Sequence, residues 1–135
     1  MKHLKNLSVL ITVIASIGFM ACSTGSATPS GTVEKYYDLV KNKDFESATK
    51  MLVTHDGEKF SEEEAKKVEG LLGTMAQDQI EKKEGIKNIT IEEEKIDEDG
   101  NWASVFYTIE YGNGDTDKED GRLFKIDGKW FLKIS

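Results

Sequence analysis

The sequence has one cysteine and one proline. A single cysteine excludes an internal disulfide framework and any multi-cysteine metal knuckle. One proline and 12 glycines in 135 residues exclude collagen-like and proline-rich low-complexity architectures. Basic charge is in deficit, with 18 Lys and Arg against 25 Asp and Glu and a net charge of −7. That balance argues against a general nucleic-acid binder, which needs clustered cations. There is no phosphate-binding glycine loop, no nucleophile elbow and no dinucleotide fingerprint, so no cofactor is expected. What remains is 38% apolar and 32% charged residues over one domain's length, a globular composition.

The first segment differs from the rest. Lys2 and Lys5 precede a mostly apolar run from Leu7 to Ala21, with no acid before Glu34. A charged start followed by a short apolar run is the layout of a secretory signal. The run is too short for a standard membrane span of about 20 apolar residues. It ends at Phe19-Met20-Ala21-Cys22, which resembles a bacterial lipobox. That resemblance implies cleavage after Ala21 and lipidation of Cys22, with palmitate among the expected acyl groups. Phe19 and Met20 depart from the commoner residues, and ordinary cleavage after Ala27 is the alternative. Loss of residues 1–21 would remove two lysines and no acid, deepening the charge from −7 to −9. Residues 22–31 read as a flexible tether rich in Ser, Thr and Gly. No acidic cluster follows Cys22, so the expected location is the cell envelope, on the periplasmic side of a membrane if the source has two.

Residues 32–135 form the expected domain. Val33, Tyr36, Tyr37 and Val40 follow helical spacing, with Thr32 as the predicted cap. Asp44 restarts the pattern through Phe45, Ala48, Met51 and Leu52. Ser61 to Glu64 reads as a capping box, and Ala65 to Ile80 continues at helical spacing until Gly85. Gly70 and Gly73 mark either a close helix crossing or an exposed side.

After Gly85 the period becomes two. Ile89 and Ile91 begin a strand predicted to reach Ile96, with a turn over 97–101. Residues 102–111 form the clearest strand. Ala103, Val105, Tyr107, Ile109 and Tyr111 share one apolar face, and Trp102, Ser104, Phe106, Thr108 and Glu110 share the other. Leu123 to Ile126 is the predicted third strand. Asp127-Gly128 is a hairpin signal, and Trp130, Leu132 and Ile134 make the fourth. Helices followed by a strand meander predict an α+β fold, with N-terminal helices packed on an antiparallel sheet of about four strands.

Three stretches carry a wider resemblance: Val33 to Val40, Lys43 to Ala48, and Phe124 to Leu132. With these the chain resembles small bacterial lipoproteins of a domain-of-unknown-function family, DUF4878, in the nuclear-transport-factor-2-like (cystatin-like) superfamily. The resemblance covers most of residues 32–135. It implies a curved sheet wrapped by helices into a cone, often with a pocket inside. Members of the superfamily are enzymes, small-molecule binders or dimeric adaptors, and the shared fold does not choose among them.

The candidate ligand-binding residues are Tyr36, Tyr107, Tyr111, Trp102 and Phe106, although aromatics at these periods also serve as core. His55 lies in the polar stretch Thr54-His55-Asp56-Gly57 and reads as a surface histidine. A lone histidine does not make a metal site. The acidic runs 97–101 and 115–121 have glycine at the fourth or seventh place where a calcium loop has it at the sixth, lack its final glutamate, and read as solvated turns. Asn88-Ile89-Thr90 matches a glycosylation sequon, but falls in a predicted strand.

No catalytic residue and no metal site is therefore expected. The expected function is a non-enzymatic, lipid-anchored envelope protein binding a small molecule or a protein, with a homodimer through the sheet face as one form. An isomerase- or cyclase-type enzyme, with an acid beside a tyrosine in the cone, is the alternative. A structural or immunity-type partner protein steered by its acidic charge is another.

Overall fold

A threonine–proline pair starts the folded body. In the computed structural model, which describes residues 26–134, the Thr28 hydroxyl accepts from the Gly31 amide at 3.1 Å. Pro29 stands in the first helical turn, where its missing N–H has no partner to lose. Helix α1 thus spans Pro29–Lys41. Thr32 is not the cap, and the stretch 28–31 is not tether. Thr32 is buried inside the helix, its hydroxyl 3.0 Å from the Thr28 carbonyl and 3.1 Å from that of Trp130. The expected signal segment, its cleavage point Ala21 and the lipidation point Cys22 lie outside the described residues.

Asp44 caps the short helix α2, Phe45–Lys50, as its spacing predicts. The next two residues, Leu52–Val53, form β1, which helical spacing concealed. Helix α3, Glu62–Met75, opens on the predicted capping box. The Ser61 hydroxyl accepts from the Glu64 amide at 3.3 Å, and the Glu64 carboxylate accepts from the Ser61 amide at 2.9 Å. The helix does not run unbroken to Gly85. It widens into a π-helical turn at Ala76–Ile80 and tightens into a 3-10 turn at Glu81–Lys83. Gly73 meets the Phe45 ring where α3 crosses α2, whereas Gly70 faces open space.

Four long strands follow: β2 (Ile86–Ile96), β3 (Trp102–Tyr111), β4 (Thr116–Ile126) and β5 (Lys129–Lys133). The sheet is open and curved, in the order β1-β5-β4-β3-β2. β1 lies parallel to β5 and the other neighbours are antiparallel. The architecture is α+β, with five strands where the sequence predicts about four. The predicted third strand, 123–126, is only the end of β4. Its first half is rich in acids and glycine, which have low strand propensity, and pairing with β3 overrides that preference.

Helix α1 lies across β2, β3 and β5. Between helix and sheet sit Val33, Tyr36, Val40, Val105, Tyr107, Leu123 and Leu132, all buried. The loop 54–60 folds over the other face, where Gly57 approaches the Phe124 ring so closely that a Cβ would lie 3.1 Å from it. Gly57 also has φ +82°, a conformation that favours glycine.

Leu123 is fully buried at the centre of this core. Leu123→Ala is expected to cost about 2–5 kcal/mol, the range for deleting a buried leucine. Urea unfolding would show the midpoint falling with little change in slope. An unchanged midpoint would contradict this placement of the core.

Candidate functional site

All four tyrosines of the chain meet on the helix-facing side of the sheet. Strand alternation brings two of them: Tyr107 and Tyr111 sit on the apolar side of β3, at the period of two that the sequence shows. Helix α1 brings Tyr36 and Tyr37. The Tyr36 and Tyr37 rings lie edge to face at 5.0 Å, and Tyr37 lies 5.4 Å from Tyr107. The Tyr37 and Tyr107 hydroxyls share a hydrogen bond of 2.8 Å. The neighbouring strand makes room. Gly121 on β4 is buried beneath these rings, and a Cβ there would lie 3.2 Å from both Tyr107 and Leu132.

The cluster ends in a charged rim. The Tyr111 hydroxyl donates to Asp117 Oδ2 at 2.8 Å. Lys83 Nζ donates to the same oxygen at 3.4 Å and stands 4.6 Å from the centre of the Tyr111 ring. Lys83 is held there by the backbone. The Asn113 amide donates to its carbonyl, and the Gly112 amide donates to that of Gly85. Gly112 permits this approach, since a Cβ at that position would run into the Glu84 carbonyl oxygen. The 3-10 turn Glu81–Lys83 and the link after it are thereby fastened to the β3–β4 turn.

Electrostatics in the cluster favour protonated phenols. Burial pushes Tyr107 and Tyr111 up to about 12. The Glu119 charge adds to this at both, and Asp117 adds to it at Tyr111. Tyr36 and Tyr37 are raised by the same desolvation, further for Tyr37. The Tyr111 hydrogen bond holds the Asp117 carboxyl below the usual range, and Lys83 helps. At neutral pH the cluster therefore holds neutral phenols beside the ionised Asp117 carboxylate, whose lowered pKa makes it a poor proton acceptor.

The five aromatic candidates do not form one site. Tyr36, Tyr107 and Tyr111 are core on the inner face. Trp102 and Phe106 are on the outer face, the first exposed and the second half-buried. Around Phe106 lies a shallow, open cleft of about 420 Å³, bordered by Glu92, Thr108, Lys118 and Asp120. Thr108 donates to Glu92 at 3.0 Å across it. A smaller cleft of about 180 Å³ follows the seam between α1 and β2, beside Tyr37. His55 is exposed, and no group of three or more metal-ligating side chains occurs among the described residues.

Sequence reasoning missed Lys83 and Asp117. The signal for Asp117 was present: Asp117, Glu119, Gly121 and Leu123 alternate in step with the inner face of β3. Their polarity made the segment read as a turn.

The domain of unknown function DUF4878 matches residues 21–133. Among solved structures, the chain is similar to a Campylobacter jejuni protein described as a candidate NTF2-like transpeptidase. Identity is 20%, 80% of this chain and 99% of that one are covered, and the TM-score is 0.63. It is also similar to a SEC-C motif containing protein from Rhodopseudomonas palustris, at 13% identity. There 80% of this chain and 77% of that one are covered, with a TM-score of 0.54. No curated protein matches the sequence. At these identities the structural likeness establishes the nuclear-transport-factor-2-like fold and nothing further.

Because all four tyrosines are raised, no phenol in the native protein should titrate near the ordinary value of 10. Phenolate absorbance is expected only from about 12 upwards. The folded state keeps protons that the unfolded chain releases, so stability is complete below pH 10 and falls as pH rises beyond it. Tyr37→Phe and Tyr107→Phe should each flatten that alkaline loss. A native phenol titrating near 10 would show an open cluster.

Proposed function

Because the chain belongs to the DUF4878 family and has a nuclear-transport-factor-2-like fold, we propose that it is a lipid-anchored cell-envelope protein whose domain binds a partner without catalysing a reaction. The observation that carries this reading is the filled inner face. Four tyrosine rings occupy the space between α1 and the sheet, where a cone-shaped fold would hold a substrate. The recognition chemistry lies on the outer face, in the cleft around Phe106. That cleft is open and shallow, with an apolar floor and charges of both signs at its edge. Such a surface suits a protein segment better than an enclosed small molecule, since small-ligand sites bury most of their ligand.

Anchoring rests on the leader pattern of Lys2, Lys5 and the run from Leu7 to Ala21, followed by the only cysteine of the chain, Cys22. Among the described residues no helix is long and apolar enough to cross a membrane. Acyl chains on Cys22 would supply the attachment, and two or more are needed for stable anchoring. In a cell with two membranes the body would stand on the periplasmic side.

The isomerase or cyclase reading has one observation in its favour, the Tyr111–Asp117 pair. It is weakened by the same geometry. Asp117 is held ionised below the usual range by the Tyr111 hydroxyl and Lys83, which lowers its appetite for a proton.

Native mass spectrometry of the protein extracted gently from its own envelope tests the proposal. The expected spectrum shows acyl mass on Cys22 and a second polypeptide that denaturation releases and Phe106→Ser removes. A proton-transfer activity that survives Phe106→Ser and is lost in Asp117→Asn would overturn it.

A further inference from the structure

The end of the sheet where the folded chain begins also carries two exposed apolar side chains. The Ser26 carbonyl accepts from the Trp130 amide at 2.9 Å, at the start of β5. Ser30, at the start of α1, donates from its amide at 2.9 Å and its hydroxyl at 2.7 Å to Glu94, near the end of β2. Both contacts lie at the end formed by the β2–β3 and β4–β5 turns. The Lys125 amide, donating to the Asn101 carbonyl at 2.8 Å, ties the two hairpins together there.

At this end Ile96 is 51% exposed and Trp102 is 40% exposed; the other large apolar residues that reach solvent to this degree, Leu71 and Met75, are on α3. Ile96 pairs with Ala103 on the inner face, and Trp102 pairs with Phe124 on the outer face. The two therefore flank the β2–β3 turn from opposite sides. Lys95 and Arg122 both pair with Ser104 on the outer face beside Trp102. The Arg122 guanidinium stands 5.7 Å from the Trp102 ring.

Only four residue steps separate Cys22 from Ser26, a reach of about 14 Å at full extension. Resting on the lipid-anchor reading above, we propose that this end of the sheet lies against the bilayer surface, with Trp102 and Ile96 in its headgroup region. An indole suits that boundary, being apolar in body and polar at its N–H. Lys95 and Arg122 can extend their charged ends to lipid phosphates while their stems cover the indole's surroundings. The short tether keeps a weak contact populated, because it holds the surface at an effective concentration of roughly millimolar order. Asp97, Glu98, Asp99 and Asp127 occupy the two turns at the same end. The preferred surface is therefore zwitterionic lipid, and anionic lipid weakens the contact.

The experiment uses the full, lipid-modified protein in phosphatidylcholine vesicles with brominated acyl chains. Trp130 is buried, so it serves as the internal reference for Trp102. The expected result is a loss of tryptophan emission with brominated lipid that Trp102→Phe abolishes, with Trp102 shielded from aqueous acrylamide. Adding anionic lipid should reverse part of the loss. Protein that floats with the vesicles and carries acyl mass on Cys22, yet leaves Trp102 open to acrylamide and untouched by brominated lipid, overturns the docking alone. Protein with no acyl mass that stays behind on flotation overturns the anchor and the docking together. Shielding that is equal without vesicles and lost on dilution assigns the surface to a second copy, and also overturns the proposal.

Discussion

The packing of Tyr107 against Tyr37 and over Gly121 is the contact on which the rest of the structure depends. It joins strand β3 to α1 and to the central strand β4 at one point. A Cβ on residue 121 would press on the Tyr107 and Leu132 side chains at 3.2 Å, tighter than ordinary van der Waals contact. The shared hydroxyl hydrogen bond fixes the two rings with their polar atoms satisfied. Among the described residues no buried side-chain polar atom lacks a partner. Tyr37, Tyr107 and Tyr111 each give their phenol a polar partner, which is what burying a tyrosine requires.

That solution to the packing problem restricts the chemistry. The tyrosine rings occupy the space between α1 and the sheet, and desolvation keeps the phenols neutral. The one inner-face carboxylate described as hydrogen-bonded to a phenol, Asp117, sits at the rim. Its ion pair with Lys83 fastens the 3-10 turn Glu81–Lys83 to the start of β4. The side chains of that pair are partly exposed, and such pairs contribute little to stability alone. Its geometric effect is larger, since it acts beside two backbone hydrogen bonds and the close approach at Gly112.

Much of this was legible in the sequence where local preference and tertiary need agree. The alternation of Ala103 to Tyr111 gave its strand and its inner face, and Ser61 to Glu64 gave its cap. The residues hardest to read were those whose structure is set by distant partners. Leu52–Val53 is strand because the Leu132 and Ile134 amides donate to the carbonyls of Met51 and Val53. Thr116 to Gly121 is strand because β3 lies beside it. The helix begins at Thr28 because a threonine before proline caps better than a threonine three residues into the turn. Period two placed Tyr107 and Tyr111 on one face of β3 and Trp102 and Phe106 on the other, but it could not say that helix α1 would bring Tyr36 and Tyr37 onto the first face alone.

Two faces of one sheet therefore differ in what they leave available. The inner face is filled by its tyrosine rings, which pack on one another, and Ile96 stands exposed at its end. The outer face is only partly covered, by the loop 54–60 over Phe124, and leaves Phe106 and Trp102 in reach of solvent. Phe106 sits in mid-sheet beside charges of both signs, whereas Trp102 stands at the end from which the chain departs. Their positions separate the two contacts physically. A partner in the Phe106 cleft can be bound while the Trp102 end faces a surface, because the cleft and the sheet end lie at different points along β3. On the proposed reading, binding of a partner and attachment to a membrane therefore need not compete for the same residues.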